Sequence, residues 1–265
     1  MLDPQRRLAV LLLCAAGLDC RAPAPSPSIP PRSSAFEHAA ARPTGAPSGA
    51  LLDELAGWQT CDLLTFEDEV ERLKASTAVR WSAAARDAYA QALPEASLTS
   101  VRAAVLLGID RSPESTALLC TRLEARAPAP ARERNAVDIV AAAALEGRLD
   151  AVLQARLLRL VEGAGAHPDL EVRVECARVL ARAGSTKVYP FLLRVLRVET
   201  PDQELDPPDW IPTTTLFWAK FRAAEVLAEH AKLPMTFRPD ASFADQAREA
   251  SRLAHALGYT RPARR

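Results

Sequence analysis

The residues best suited to chemistry gather in one stretch, VETPDQELDPPDWIPTTTLFW, from Val198 to Trp218. It holds Glu199, Asp202, Glu204, Asp206 and Asp209 beside Trp210, Phe217 and Trp218. Carboxylates next to indoles suit recognition of a basic partner, with tryptophan as the anchor. The same residues also suit a duller arrangement, in which Trp210 and Trp218 tuck the segment onto its own fold and the acids stay solvated. A second series is basic: Arg156, Arg159, Arg178, Arg182, Arg194 and Arg197 recur along neighbouring segments. They would line one surface for an anionic partner, form the wet face of amphipathic helices, or pair with the acidic stretch.

Little else has a catalytic pattern. The sequence lacks HExxH, GxSxG, a phosphate-binding glycine loop and a dinucleotide fingerprint. The glycines of GAGAHP, Gly163–Pro168, follow no strand pattern and read as an inter-helix turn. His38, His167, His230 and His255 have no i, i+4 partner that would make a metal pair. His167, before Pro168, reads as a structural turn residue. Cys61, Cys120 and Cys176 are far apart, with no CxxC among them, and read as small core residues. No cofactor, metal or catalytic residue is assigned.

Charge narrows the partners. Lys+Arg and Asp+Glu both number 33, for a net charge of zero. A protein that tracks nucleic acid needs a basic excess to displace counterions from phosphates, so nucleic acid is not an expected partner. Proteins are.

The N-terminus reads as an address. Arg6 and Arg7 precede an apolar run from Leu8 to Leu18. That run is too short to span a bilayer but fits the core of a signal peptide. Residues 1–20 are therefore expected to direct export to the periplasm or cell envelope. Cys20 is the candidate for lipidation and membrane anchoring, although Asp19 and Gly17 occupy places where a lipoprotein leader has a small residue and leucine. Residues 21–49 read as a tether rich in Pro, Ala and Ser. Seven prolines between Arg21 and Ser48 exclude regular helix and strand over most of it.

Positioning any site falls to helices. Hydrophobic residues make up 49% of the chain and aromatics 5%, with alanine and leucine dominant, a composition that favours helix. Helical patterns recur over residues 50–260, and no alternating strand pattern accompanies them. A pair of small residues followed by leucine recurs within them. The sets are Ala103–Ala104 with Leu107, Ala141–Ala142 with Leu145, Cys176–Ala177 with Leu180, and Ala223–Ala224 with Leu227. The period is roughly 40 residues, with two helices per unit.

Second helices are predicted after each set. Ser112–Pro113 caps one carrying Leu118, Leu119 and Leu123. Asp150 caps the next, with Val152, Leu153, Leu157, Leu158 and Val161 as its stripe. Phe191, Leu192, Val195 and Leu196 follow the Gly184 break, and Ala247, Ala250, Leu253 and Leu257 follow Pro239. Upstream, Leu51, Leu52, Leu55, Val70, Leu73 and the Trp81–Leu93 segment are expected to form a terminal cap.

The segment HPDLEVRVECARVLARAGSTKVYPFLLRVLR, His167 to Arg197, resembles a HEAT repeat of the PBS-lyase HEAT/armadillo type. Asp169, Val172, Arg173, Cys176, Ala177, Leu180, Gly184, Pro190 and Leu193 occupy the pattern's places. The likeness extends over roughly residues 97–258, with Ser100, Asp138 and Lys220 replacing the arginine. It implies an all-α, right-handed α-solenoid of antiparallel helix pairs, about four repeats plus an N-terminal helical cap. It also implies a protein–protein interaction scaffold without its own catalysis. The alternatives are an enzyme or accessory on the same fold, as in bilin lyases, and nucleic-acid binding, as in HEAT-like glycosylases.

Overall fold

The computed structural model describes residues 58–59, 63–75, 79–95, 97–125, 136–198 and 210–259. Ten α-helices and no strand occur among them. The chain divides into two compact units, Met1–Ser82 and Ala83–Arg265. The leader, the tether, Cys20, Leu51, Leu52, Leu55 and Cys61 lie outside the described residues.

The first unit contributes α1 (Leu63–Ala75). Phe66, Val70 and Leu73 recur at helical spacing and are buried. Glu69–Arg72 and Glu71–Lys74 ion pairs run along its wet side at i, i+3.

The second unit holds α2 (Ala83–Ala92), α3 (Leu98–Ile109), α4 (Pro113–Glu124), α5 (Ala136–Ala143) and α6 (Ala151–Val161). These continue into α7 (Leu170–Arg182), α8 (Tyr189–Leu196), α9 (Trp210–Ala231) and α10 (Phe243–Ala256). The starts are set by side chains that satisfy the free amides of a first turn, each worth about 1 kcal/mol. Ser97, Ser112, Asp150, Asp169 and Ser242 accept from amides of α3, α4, α6, α7 and α10. Gly184 closes the end of α7 at φ +87°, a conformation that costs any other residue strain.

Helices pack in neighbouring pairs. The row α3, α5, α7, α9 packs each on the next, and α4, α6 and α8 each pack on the first helix of the following unit. All four sets of small pair and leucine are fully buried: Ala103, Ala104 and Leu107, Ala141, Ala142 and Leu145, Cys176, Ala177 and Leu180, Ala223, Ala224 and Leu227. Small side chains at those places let the row's backbones approach, while the leucines fill the layer beside them.

Gly108 marks the tightest approach. A Cβ there would stand 2.8 Å from the Ala144 Cβ, just beyond α5. Gly108→Ala gains up to about 1 kcal/mol of helix propensity but forces α3 and the end of α5 apart, at about 1–3 kcal/mol. A lower urea midpoint is expected. An unchanged or higher midpoint would contradict this close packing.

Two expectations need correction. Val152 is not in the core stripe of α6; it is 70% exposed, whereas Leu153, Leu157, Leu160 and Val161 are buried. A turn of 100° per residue sends Val152 away from the face its neighbours define. The connection expected from Val198 to Trp218 is also shorter, because α9 already begins at Trp210. Pro212 is compatible with that, since a first turn has no amide bond to lose.

Candidate functional site

The structure sorts the sequence-predicted site residues unevenly. Glu199, Asp202, Glu204, Asp206 and Asp209 lie outside the described residues. Trp210 opens α9. Trp218, half-buried on that helix, sits edge-on to Phe217 at 5.5 Å and to Phe221 at 6.1 Å. The indole is held by aromatic neighbours of its own helix, nine residues beyond Asp209.

The arginine series separates onto different helices. Arg156 on α6 grips Glu124 on α4 through two bonds of 2.9 and 2.8 Å, and Arg194 on α8 pairs with Glu162 at the end of α6. Arg159 and Arg197 are exposed and make no ion pair among the described residues. Arg178 and Arg182 lie on α7 inside a longer chain of charges. Glu229 of α9 meets Arg182 at 3.1 Å, and Arg182 meets Glu146 at 3.0 Å. Glu146, in the turn after α5, lies 3.6 Å from Arg178. Arg178 and Arg222 of α9 then share Glu175, whose carboxylate is fully buried. Six alternating charges thus tie α9 to α7 and to the end of α5. Burial opposes ionisation of Glu175, but the two guanidiniums outweigh it and hold the carboxyl at about 2.

A second set of polar bonds lies three residues before each small pair, where Ser100, Asp138, Arg173 and Lys220 stand. Ser100 Oγ is 2.9 Å from Ser97 Oγ. Asp138 accepts from Arg122 Nε of α4 at 2.7 Å and meets His167 Nε2 at 3.2 Å. Arg173 donates to the Val161 carbonyl at the end of α6 and lies over the Phe191 ring. Lys220 donates to Gln246 of α10 at 2.7 Å. Departures from the repeat pattern are therefore matched by different partners, and each of these side chains anchors a neighbouring segment or its own helix start. Burial lowers the Lys220 pKa from its ordinary value.

Sequence reasoning did not single out Arg111 and Arg148. With Arg156 they border a cleft of about 330 Å³ between the starts of α4 and α6. Arg148 donates to the Gly108 carbonyl, to the Asp110 carbonyl at 3.0 Å and to Thr116 Oγ1 at 3.3 Å. Its buried Nε has no hydrogen-bond partner. Burial first, and the like charge of Arg111 second, pull its pKa down to about 10. Cys120, also on the cleft, is pushed up to about 11 chiefly by burial, so its thiol is protonated at neutral pH and is a poor nucleophile. Among the described residues, no group of His, Cys, Asp and Glu is placed to hold a metal ion. No described helix is long and apolar enough to cross a membrane.

These features define an all-helical protein whose successive helix pairs are joined by buried small residues and by polar bonds between units. No protein-family model, no curated protein and no solved structure matches the chain.

Proposed function

We propose that the protein is an exported protein–protein interaction scaffold, an α-solenoid of the HEAT-like kind that displays the acidic, Trp-flanked stretch to a basic partner. The supporting observation is the row α3–α5–α7–α9. Its units are joined by fully buried small residues and by the Glu175-centred charge chain, so the helices are largely spent on one another. A rigid row of this kind gives its connections fixed starting points, and connections are where binding residues concentrate on such scaffolds. The longest sequence interval between units holds Glu199–Asp209, with Trp218 fixed nearby by Phe217 and Phe221. The leader and Cys20 would place the scaffold in the periplasm or envelope, tethered by residues 21–49. Because one fold serves many tasks, the functional half of this proposal stands on the acidic stretch and not on the helices.

The test is affinity capture from native envelope extract with the full chain and with a variant carrying a Gly/Ser linker in place of residues 199–209. A basic protein held by the first and lost by the second is the expected result. A partner held equally by both would move the binding site to the helix faces, and no specific partner would overturn the scaffold.

A further inference from the structure

The cleft between the starts of α4 and α6 concentrates positive charge. Arg111, Arg148 and Arg156 border it, against one carboxylate, Asp150. The Asp150 carboxylate is already engaged as the cap of α6, accepting from Leu153 N at 2.7 Å. The Arg156 charge is answered by Glu124. The Arg148 guanidinium is bonded to carbonyl and hydroxyl oxygens, and the nearby Asp110 carboxylate, which favours its charge, is itself spent on Ser112, Ser115 and Arg86. Arg111 is exposed and makes no ion pair among the described residues. α4 and α6 both begin at the cleft, and the positive ends of two helices add to the field there. Two guanidiniums on one cleft, neither in ion-pair contact with a carboxylate among the described residues and each opposing the charge of the other, are a place where an anion is favoured.

The walls say what kind of anion. Val152, 70% exposed at the lip, stands with Pro113 and Ala117 beside the arginines. An aliphatic stem would cover that apolar surface while its charged end meets the guanidinium fork, whose geometry matches a carboxylate. The volume accommodates a group of a few carbons, at the small end of ligand sites. We propose that this cleft binds a carboxylate carried on a short aliphatic stem, using Arg111 as the mobile clamp, Arg148 as the fixed one and Val152 as the apolar contact. Such a group occurs on a free dicarboxylic acid and on a glutamate side chain of a polypeptide. The site is separate from the acidic stretch and stands or falls independently of it.

The full chain, labelled for NMR, is titrated at low salt with glutarate, with the capped peptide Ac-Leu-Glu-Glu-Leu-NH2 and with inorganic phosphate. Saturable shifts at the starts of α4 and α6 are expected with glutarate, the peptide or both. Peptide alone would assign the source as a protein ligand, and glutarate alone as a free acid. Arg111→Glu and Val152→Asp alter exposed side chains and leave the Arg148 bonds intact, so both variants should fold. Each should weaken binding roughly tenfold or more. Arg238→Glu, on an exposed arginine outside the cleft, should leave binding unchanged. Phosphate binding more tightly than either carboxylate overturns the assigned chemistry. No saturable shift below about 10 mM, or equal loss in all three variants, overturns the site.

Discussion

Asp138→Ala is expected to destabilise the second unit by about 3–5 kcal/mol, the usual result of removing one partner from a buried ion pair. The residue is 1% exposed, and both groups it serves are hidden as well, Arg122 at 8% and His167 at 1%. The amide of Asp169 donates to His167 Nδ1 at 3.1 Å. That makes Nδ1 an acceptor, so Nε2 carries the proton and donates to Asp138. Alanine would leave the Arg122 charge without its carboxylate and an imidazole N–H without an acceptor. It would also loosen three elements at once, because Arg122 sits on α4, Asp138 on α5 and His167 in the turn that leads to α7. Arg122 keeps one bond, from Nη1 to the Pro94 carbonyl, which is neutral and cannot offset the lost charge. Asp138→Asn retains an acceptor and should fall between wild type and alanine. Urea denaturation followed by circular dichroism measures both. A loss below about 1 kcal/mol for alanine would place this triad among marginal surface pairs.

Glu175→Gln should have an effect of similar size, about 3–5 kcal/mol. Glutamine keeps the shape of the side chain but removes the charge that answers both Arg178 and Arg222. The pH dependence is a separate signature. The folded-state pKa of Glu175 is depressed, to about 2, below its ordinary value of 4.5. The unfolded state therefore takes up a proton first as acid is added. The stabilisation is complete above pH 4.5 and is lost as pH falls toward 2. Wild type should lose stability across that window, and Glu175→Gln should lose distinctly less. Parallel acid profiles would show that Glu175 is not ionised between its arginines.

The parts of the fold legible in the sequence were those fixed by local rules. A small pair and a leucine at constant spacing mark the buried seam of each first helix, and all twelve residues are fully buried. Ser112 and Asp150 were readable as caps because a side-chain acceptor ahead of an apolar run has one common use. What local rules cannot supply is partnership. Asp138 breaks the repeat pattern, and only packing brings it to Arg122, 16 residues earlier, and to His167, 29 residues later. Periodicity placed Val152 in a core stripe because apolar type alone does not choose between adjacent residues of a helix. The acidic stretch could be listed by composition, but composition does not tell that α9 starts at Trp210. Arg111 and Arg148 border one cleft because two helix starts lie beside it, and neither has a motif. For the arginine series, recurring along neighbouring helices, the sequence left open a shared surface, wet helix faces and pairing, and most of it is spent in pairs with Glu124, Glu162, Glu146, Glu175 and Glu229.

Successive helix pairs are joined through α7 and α9, and a double-mutant cycle of Glu175→Gln with Arg222→Gln tests that joint most directly. Groups in contact within one charged network should couple by about 1–3 kcal/mol, so the double variant should be markedly less destabilised than the two single losses together. Additivity within about 0.5 kcal/mol would mean that the two residues do not meet across the helices, and the continuous row of first helices would lose its central link.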